Sequence, residues 1–160
     1  AHLGDGQRWQ VQITYSDEQP EALETAGGIA QALPHLGTSP FLVINGDVWC
    51  DHALTPPVMT SSTLAHLVLV SNPQHNPDGD FGLVGRQINN QRRLTFSGIG
   101  WYRRELFEKL PPGLRPLGPL LRSAADENRV TGERFKGHWM DIGTPERLNT
   151  LNQYLKTSSD

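Results

Sequence analysis

The sequence predicts an α/β sandwich built around a mixed sheet. Two observations support this prediction: strand-like and helical segments alternate in the first half of the chain, and strand-like segments follow one another as hairpins in the second half. The chain has 160 residues, of which 36% are hydrophobic, and these suffice for one core. We therefore expect residues 1–160 to form a single domain.

Strand patterns are of two kinds. Residues 41–45 (FLVIN) and 64–72 (LAHLVLVSN) are apolar on both faces, which predicts central strands in a covered sheet. Residues 9–16 (WQVQITYS) alternate between apolar and polar side chains, which predicts a half-buried strand. The remaining predicted strands are 81–87 and 92–102, joined through the turn-prone residues 88–91, and two short strands within 130–142 that break at Gly137.

Helical patterns occupy most of the remaining chain. Their apolar residues recur at helical spacing, in segments 25–36, 104–110, 117–129 and 144–156. Thr144 is placed to cap the last of these helices, with Pro145 at its first helical position. The final residues 157–160 are polar and are expected to fray.

The composition excludes several classes of partner. Fourteen basic and 17 acidic residues give a formal charge of -3, so no basic face for nucleic acid is expected. No apolar run approaches the roughly 20 residues of a membrane-spanning helix. The single cysteine, Cys50, fits a reducing compartment and predicts a cytoplasmic protein. The histidines lack zinc-site spacing, and no nucleophile elbow is present.

Two carboxylates end apolar strands and are candidates for one metal site. Asp47 follows the strand 41–45, and Asp141 ends a short apolar segment before a capped helix. Asp47 has an ordinary alternative role in an Asn-Gly turn, and Asp141 could satisfy backbone N–H groups at the helix start. Two such carboxylates could also converge on Mg²⁺, which takes one or two carboxylates together with phosphates and waters.

A third candidate is the pair Gly27-Gly28 near a predicted helix start. Glycines allow a flat ligand to approach the backbone, and free N–H groups at a helix start can donate to a base or an anion. The competing interpretation is ordinary turn chemistry.

The order of four motifs is more specific than any one of them. The segments LETAGGI, FLVINGD, FSGIGWYRRELF and GHWMDIGTPERL occur in this sequence in that order. In this respect the chain resembles the sugar-1-phosphate nucleotidyltransferases, most closely the bacterial N-acetylmuramate-1-phosphate uridylyltransferases and next the mannose-1-phosphate guanylyltransferases. The resemblance implies a Rossmann-like sandwich of the GT-A type with a mixed, mainly parallel sheet.

The resemblance also implies roles for particular residues. Asp47 and Asp141 would be the catalytic residues that hold Mg²⁺. The residues implied to contact the nucleobase are Thr25, Ala26, Gly27 and Gly28. The residues implied to face the sugar phosphate are Asn45, Gly82, Ser97 and Gly98. The implied reaction transfers a uridylyl group from UTP to N-acetylmuramate 1-phosphate in peptidoglycan recycling and releases pyrophosphate.

The family's N-terminal glycine-rich loop and its lysine have no counterpart in the sequence, which begins with AHLGDG. The chain resembles the later two-thirds of such an enzyme, without the first βαβ portion. We therefore expect the chain alone to be inactive, and to associate with an N-terminal companion segment or with another copy. The alternatives are a guanylyltransferase and a non-catalytic nucleotide-sugar-binding module. A glycosyltransferase fits least, because it would need an Asp-x-Asp pair for the sugar-nucleotide diphosphate, whereas the aspartates after the strand 41–45 are spaced Asp47-Val48-Trp49-Cys50-Asp51.

Overall fold

The computed structural model describes residues 3–18 and 20–157. The strands are β1 (Phe41–Ile44), β2 (Val48–Cys50), β3 (Ala65–Val70), β4 (Phe81–Val84), β5 (Gln87–Tyr102), β6 (Val130–Arg134) and β7 (Trp139–Asp141). The α-helices are α1 (Glu24–Ala32), α2 (Leu117–Asp126) and α3 (Pro145–Thr157). Short 3₁₀ helices cover Gln7–Trp9, Leu33–His35 and Arg104–Leu106. None of the helices in the described part of the chain is long and apolar enough to span a membrane.

The large sheet is organised around the long strand β5. The strand order is β1-β5-β3-β6, and β4 forms a hairpin with the first half of β5. β5 runs antiparallel to β1, β3 and β4, while β3 and β6 are parallel. The predicted mixed sheet is confirmed. The predicted predominance of parallel pairs is not found in the described residues, because the later strands of the chain pair as hairpins.

Both faces of this sheet are covered. All six residues of β3 are buried, which confirms the prediction of a central strand there. On one face, Leu67 and Leu69 share a core with Ile29 of α1 and Leu121 of α2. On the other face, Val68 and Trp101 lie in a smaller cluster, against which Leu54 and Met59 pack from the loop that follows β2.

The prediction of a central position for residues 41–45 is wrong for the described chain. β1 pairs with β5 alone, and Leu42 and Ile44 remain 36% and 43% exposed. An apolar pattern reports what a strand can bury, whereas the number of neighbouring strands is decided by the rest of the fold. The edge of β1 that faces away from β5 has no partner among the described residues.

Three further predictions need correction. No strand forms in the described part of 9–16, because Gln7–Trp9 is a 3₁₀ helix and no neighbouring strand reaches this segment. The hairpin turns at Gly85 and Arg86, since Val84 pairs with Gln87, and residues 88–91 lie inside β5. The predicted helix 104–110 is a single 3₁₀ turn at Arg104–Leu106.

A second, two-stranded sheet of β2 and β7 lies beside α3. The antiparallel register places Val48 opposite Asp141 and Cys50 opposite Trp139. Two short strands within 130–142 were predicted and are confirmed as β6 and β7, whereas β2 was not predicted. The Thr144 hydroxyl accepts the N–H of Arg147 at 3.3 Å, which confirms the predicted helix cap. The predicted fraying at 158–160 lies outside the described residues.

Candidate active site

Asp47 and Asp141 converge at the junction of the two sheets. The N–H of Ile142 donates to the carbonyl oxygen of Asp47 at 2.8 Å, which extends the pairing of β2 and β7 by one step. A Cβ atom added to Gly143 would lie 3.0 Å from Oδ2 of Asp47 and 3.2 Å from Oδ1 of Asp141. The two carboxylates therefore flank one point, and the glycine keeps that point open.

Asp141 is contacted by a guanidinium, an imidazole and a backbone N–H. Its Oδ2 lies 2.6 Å from Nη1 of Arg147 and 3.2 Å from Nε2 of His75, and its Oδ1 accepts the N–H of Gly143 at 2.9 Å. Burial acts to raise the pKa of Asp141, but the Gly143 N–H, the Arg147 guanidinium and His75 outweigh it, so the pKa is lowered from its usual 3.8. Asp141 therefore remains a carboxylate near neutral pH, the form in which it can bind a cation.

A cavity of about 200 Å³ contains both carboxylates and three of the residues implied to face the sugar phosphate: Asn45, Ser97 and Gly98. The N–H of Asn45 donates to the Gly98 carbonyl at 2.9 Å. Gly98 has a φ of +80°, and a Cβ there would lie 2.8 Å from Nδ2 of Asn45. The close approach of these two residues therefore requires glycine at position 98.

Ser97 lines this cavity and also forms hydrogen bonds that stabilise the fold. Its side chain is buried, and its hydroxyl accepts the N–H of Ile99 at 3.2 Å. Its carbonyl accepts the indole N–H of Trp139 at 2.9 Å. Ser97 therefore connects β5 of the large sheet to β7 of the small one, and this connection positions the strand that ends in Asp141.

A second cavity, of about 320 Å³, adjoins the first. The two share Asn45, Asp80 and Phe96 as lining residues. The second cavity is also lined by Thr25 at the start of α1 and by Arg122 of α2. The Arg122 guanidinium lies 4.9 Å from the centre of the Phe81 ring and donates to the Asp80 carbonyl at 3.0 Å. Thr25 thus lies in a cavity that adjoins the one containing the two aspartates.

Ala26, Gly27 and Gly28, the other residues implied to contact the nucleobase, have different surroundings. The N–H groups of Ala26 and Gly27 both donate to the Arg115 carbonyl, at 2.9 and 3.2 Å. A Cβ on Gly27 would lie 2.6 Å from the Gly113 carbonyl oxygen, and a Cβ on Gly28 would collide with the Glu18 carboxylate. Of the glycine pair expected to offer free N–H groups, Gly27 does not do so in this structure, because its N–H is bonded to Arg115 in the loop before α2.

Gly82 does not line either cavity. It lies in β4, opposite Asn89, and a Cβ there would collide with the Asn89 side chain. The glycine accordingly permits close packing within the hairpin, and the structure does not bring it to the two aspartates.

Several lining residues were not predicted from the sequence. They belong mainly to the loop between β3 and β4: His75, Asn76 and Asp80. This loop is held by hydrogen bonds, since Asp80 accepts the N–H of Phe96 at 2.9 Å and the Asn76 amide at 3.1 Å. The sequence NPQHNPDGD is rich in turn residues between two strands, and such loops often carry functional side chains, which is the signal that could have indicated them.

The donor set fits a hard cation that retains other ligands. Among residues 3–18 and 20–157, no group of three or more His, Cys, Asp or Glu side chains is placed to hold a metal ion. Two carboxylates that flank one open point are the kind of site that Mg²⁺ uses, with substrate phosphates and waters as the remaining ligands.

Comparison with known proteins decides the family. The family model described as nucleotidyl transferase matches residues 1–97. This chain belongs to the nucleotidyltransferase family. It is 50% identical over 157 residues to the N-acetylmuramate alpha-1-phosphate uridylyltransferase of Neisseria meningitidis serogroup B, a match that covers 91% of this chain and 68% of the relative. The enzyme of the same description from Caulobacter vibrioides is 31% identical, over 84% of this chain and 62% of the relative.

Solved structures agree with the nucleotidyltransferase fold. A protein described as a glucose-1-phosphate thymidylyltransferase from Bacillus anthracis superposes with a TM-score of 0.77 at 21% identity, over 95% of this chain and 68% of that one. HddC from Yersinia pseudotuberculosis superposes with a TM-score of 0.64 at 19% identity, over 86% of this chain and 64% of that one. At these identities the likeness concerns the fold alone.

Proposed function

We propose that this nucleotidyltransferase transfers a uridylyl group from UTP to N-acetylmuramate 1-phosphate, with Mg²⁺ as the cation, in the cytoplasmic recycling of peptidoglycan. The observation that carries the proposal is the convergence of Asp47 and Asp141 on one open point beside Gly143. The choice of base and sugar is supported by the 50% identity to the Neisseria enzyme.

The chemistry requires no nucleophilic side chain. A phosphate oxygen of the sugar 1-phosphate attacks the α-phosphorus of UTP, and the bond from that phosphorus to the bridging oxygen of pyrophosphate breaks. Catalysis of such a transfer consists mainly of positioning and charge neutralisation. A divalent cation, when bound, supplies neutralisation of the phosphoryl oxygens and orientation of the reacting groups.

Residues of this chain would bind the cation and the two substrates. Asp141 is kept ionised by its neighbours, and Asp47 is exposed at the exit of β1, so both can face a cation. Asn45 lines both cavities and offers an amide to phosphate or sugar oxygens. Thr25 lines the second cavity, where we place the nucleoside, and offers a hydroxyl there.

We further propose that residues 1–160 are part of one nucleotidyltransferase domain. The chain spans 68% and 62% of the lengths of the two curated relatives. A glycine-rich loop and a lysine that cradle the triphosphate would complete the site, because backbone N–H groups and a positive charge are what a triphosphate needs.

The proposal is tested by incubating the protein with UTP, N-acetylmuramate 1-phosphate and Mg²⁺, and by measuring both pyrophosphate and the nucleotide-sugar by mass. The same assay with GTP and mannose 1-phosphate tests the guanylyltransferase alternative. The 160-residue chain is assayed alone and with a separately made N-terminal segment of the Neisseria relative. Binding of a UDP-sugar with no transfer in any combination would instead identify a non-catalytic module.

A further inference from the structure

Arg147, in the first turn of α3, already contacts the carboxylate that the proposed cation would need. Its Nη1 lies 2.6 Å from Oδ2 of Asp141, and Nε2 of His75 lies 3.2 Å from the same oxygen. The other carboxylate oxygen, Oδ1, accepts the N–H of Gly143. A divalent cation that binds between Asp47 and Asp141 must therefore share Asp141 with a guanidinium or displace it.

The contact between Arg147 and Asp141 leaves hydrogen-bonding capacity unused. Nη1 of Arg147 is buried and lies 2.6 Å from Oδ2 of Asp141, but this contact is poorly aligned for a hydrogen bond. Nε reaches only the Thr144 hydroxyl, at 3.3 Å. A guanidinium carries five N–H donors in a planar fork, and two of them can pair with a phosphate side by side. The contact through Nη1 with Asp141 does not use this arrangement.

Space for movement lies next to the guanidinium. Arg147 and Asp141 line a cavity of about 330 Å³, together with Ser71 and Thr150. This cavity shares His75, Trp139 and Asp141 with the one that contains both aspartates. A side chain that leaves Asp141 would thus remain beside the position proposed for the reacting phosphates.

We propose that Arg147 is a displaceable counter-ion, which holds Asp141 while the cation site is empty and pairs with the phosphate of the sugar 1-phosphate once a divalent cation has taken the carboxylate. This inference rests on the proposed function, because it requires a cation and a phosphate at the same site. The physical reason is that two positive groups compete for one carboxylate, and the displaced guanidinium then prefers the nearest anion.

The first test measures Mn²⁺ binding to the 160-residue chain by electron paramagnetic resonance, without any turnover. Arg147→Gln removes the competitor, so its Kd for Mn²⁺ should fall by about fivefold or more, the lower range of coupled binding effects. Arg147→Lys keeps the charge, so its Kd for Mn²⁺ should lie between those of the unmodified chain and Arg147→Gln. Arg134→Gln is the matched control, since Arg134 donates to the Ser71 hydroxyl at 3.0 Å beside the same cavity and does not touch Asp141.

The second test measures binding of N-acetylmuramate 1-phosphate by calorimetry at saturating Mn²⁺. Arg147→Gln should weaken this binding by about tenfold, the scale of one lost charge-assisted hydrogen bond. Unchanged or weaker Mn²⁺ binding in Arg147→Gln overturns the counter-ion role, and unchanged sugar-phosphate binding overturns the exchange of partners. Absence of Mn²⁺ binding in both the unmodified chain and Arg147→Gln removes the metal from the proposed function and this inference with it. Binding by the unmodified chain that Arg147→Gln does not tighten removes the inference alone.

Discussion

The indole N–H of Trp139 donates to the carbonyl oxygen of Ser97 at 2.9 Å, and this bond joins β7 of the small sheet to β5 of the large sheet. Asp141 lies two residues beyond Trp139 on the same strand, while Asn45 is bonded to Gly98, the neighbour of Ser97. The position of Asp141 relative to Asn45 and Gly98 therefore depends on how the two sheets are held together.

Trp139→Phe tests this dependence. The substitution keeps an aromatic ring but leaves the Ser97 carbonyl without its donor, so we expect a loss of about 1–2 kcal/mol in the free energy of unfolding in urea. Mn²⁺ affinity should fall as well, because β7 would no longer be held in place. Trp49→Phe, in the same small sheet and packed against Tyr154, is the control. If Trp139→Phe loses stability but binds Mn²⁺ normally, the sheet junction does not set the metal geometry.

Asp47→Asn and Asp141→Asn should each abolish most of the uridylyl transfer in the full-length protein while circular dichroism stays unchanged. An amide keeps the size of the side chain but removes the charge that the cation needs. Asp51→Asn is the matched control, since Asp51 is exposed and pairs with His138 rather than with Asp47 or Asp141. Near-normal Mg²⁺-dependent turnover in either variant would remove that residue from the proposed site.

Gly143→Ala places a methyl group between the two carboxylates. Because its Cβ would lie 3.0 Å from Asp47 and 3.2 Å from Asp141, we expect Mn²⁺ affinity to fall by about tenfold or more while the fold persists. Gly37→Ala is the control, because nothing lies within 4 Å of a Cβ at that position. Equal affinities for the two variants would show that the cation does not sit at this point.

The lowered pKa of Asp141 predicts a pH dependence of stability. The N–H of Gly143, Arg147 and His75 favour the ionised form in the folded state against the effect of burial, so the unfolded chain takes up this proton at a higher pH than the folded one. The stabilisation is therefore complete above the unfolded value of 3.8 and is lost as the pH falls through the lower folded value. The urea concentration at the unfolding midpoint, measured in EDTA between pH 3 and pH 6, should decline toward pH 3. In Asp141→Asn this decline should be smaller, because the variant lacks the contribution of this carboxylate. An identical slope in the variant would contradict the assignment.

The open edge of β1 predicts that the isolated chain associates with itself or with a companion segment. An unpaired strand edge with apolar side chains is a template for further pairing, and Leu42 and Ile44 are partly exposed here. The 160-residue chain should therefore show a mass above that of the monomer in light scattering. We also expect it to show little transfer activity. Ile44→Lys should reduce the association, with Val84→Lys, an exposed apolar site on β4, as the control. A monodisperse, fully active 160-residue monomer would refute this prediction.

Local patterns along the sequence determined most of the elements and the candidate carboxylates. The continuous apolar run predicted β3, the Thr-Pro start predicted α3, and the charges that end the two apolar segments indicated Asp47 and Asp141. These features can be read from the chain because burial, capping and strand termination depend on residues close together in sequence.

The tertiary structure alone decided which elements neighbour one another. It placed β1 at an edge, turned the hairpin at Gly85, and used the N–H groups of Ala26 and Gly27 to bind Arg115. It also brought His75 and Arg147, which are 72 positions apart, to the same oxygen of Asp141. No sequence pattern records such contacts, because they depend on the packing of distant segments. The open point beside Gly143 exists only because β2 and β7 are paired in one particular register.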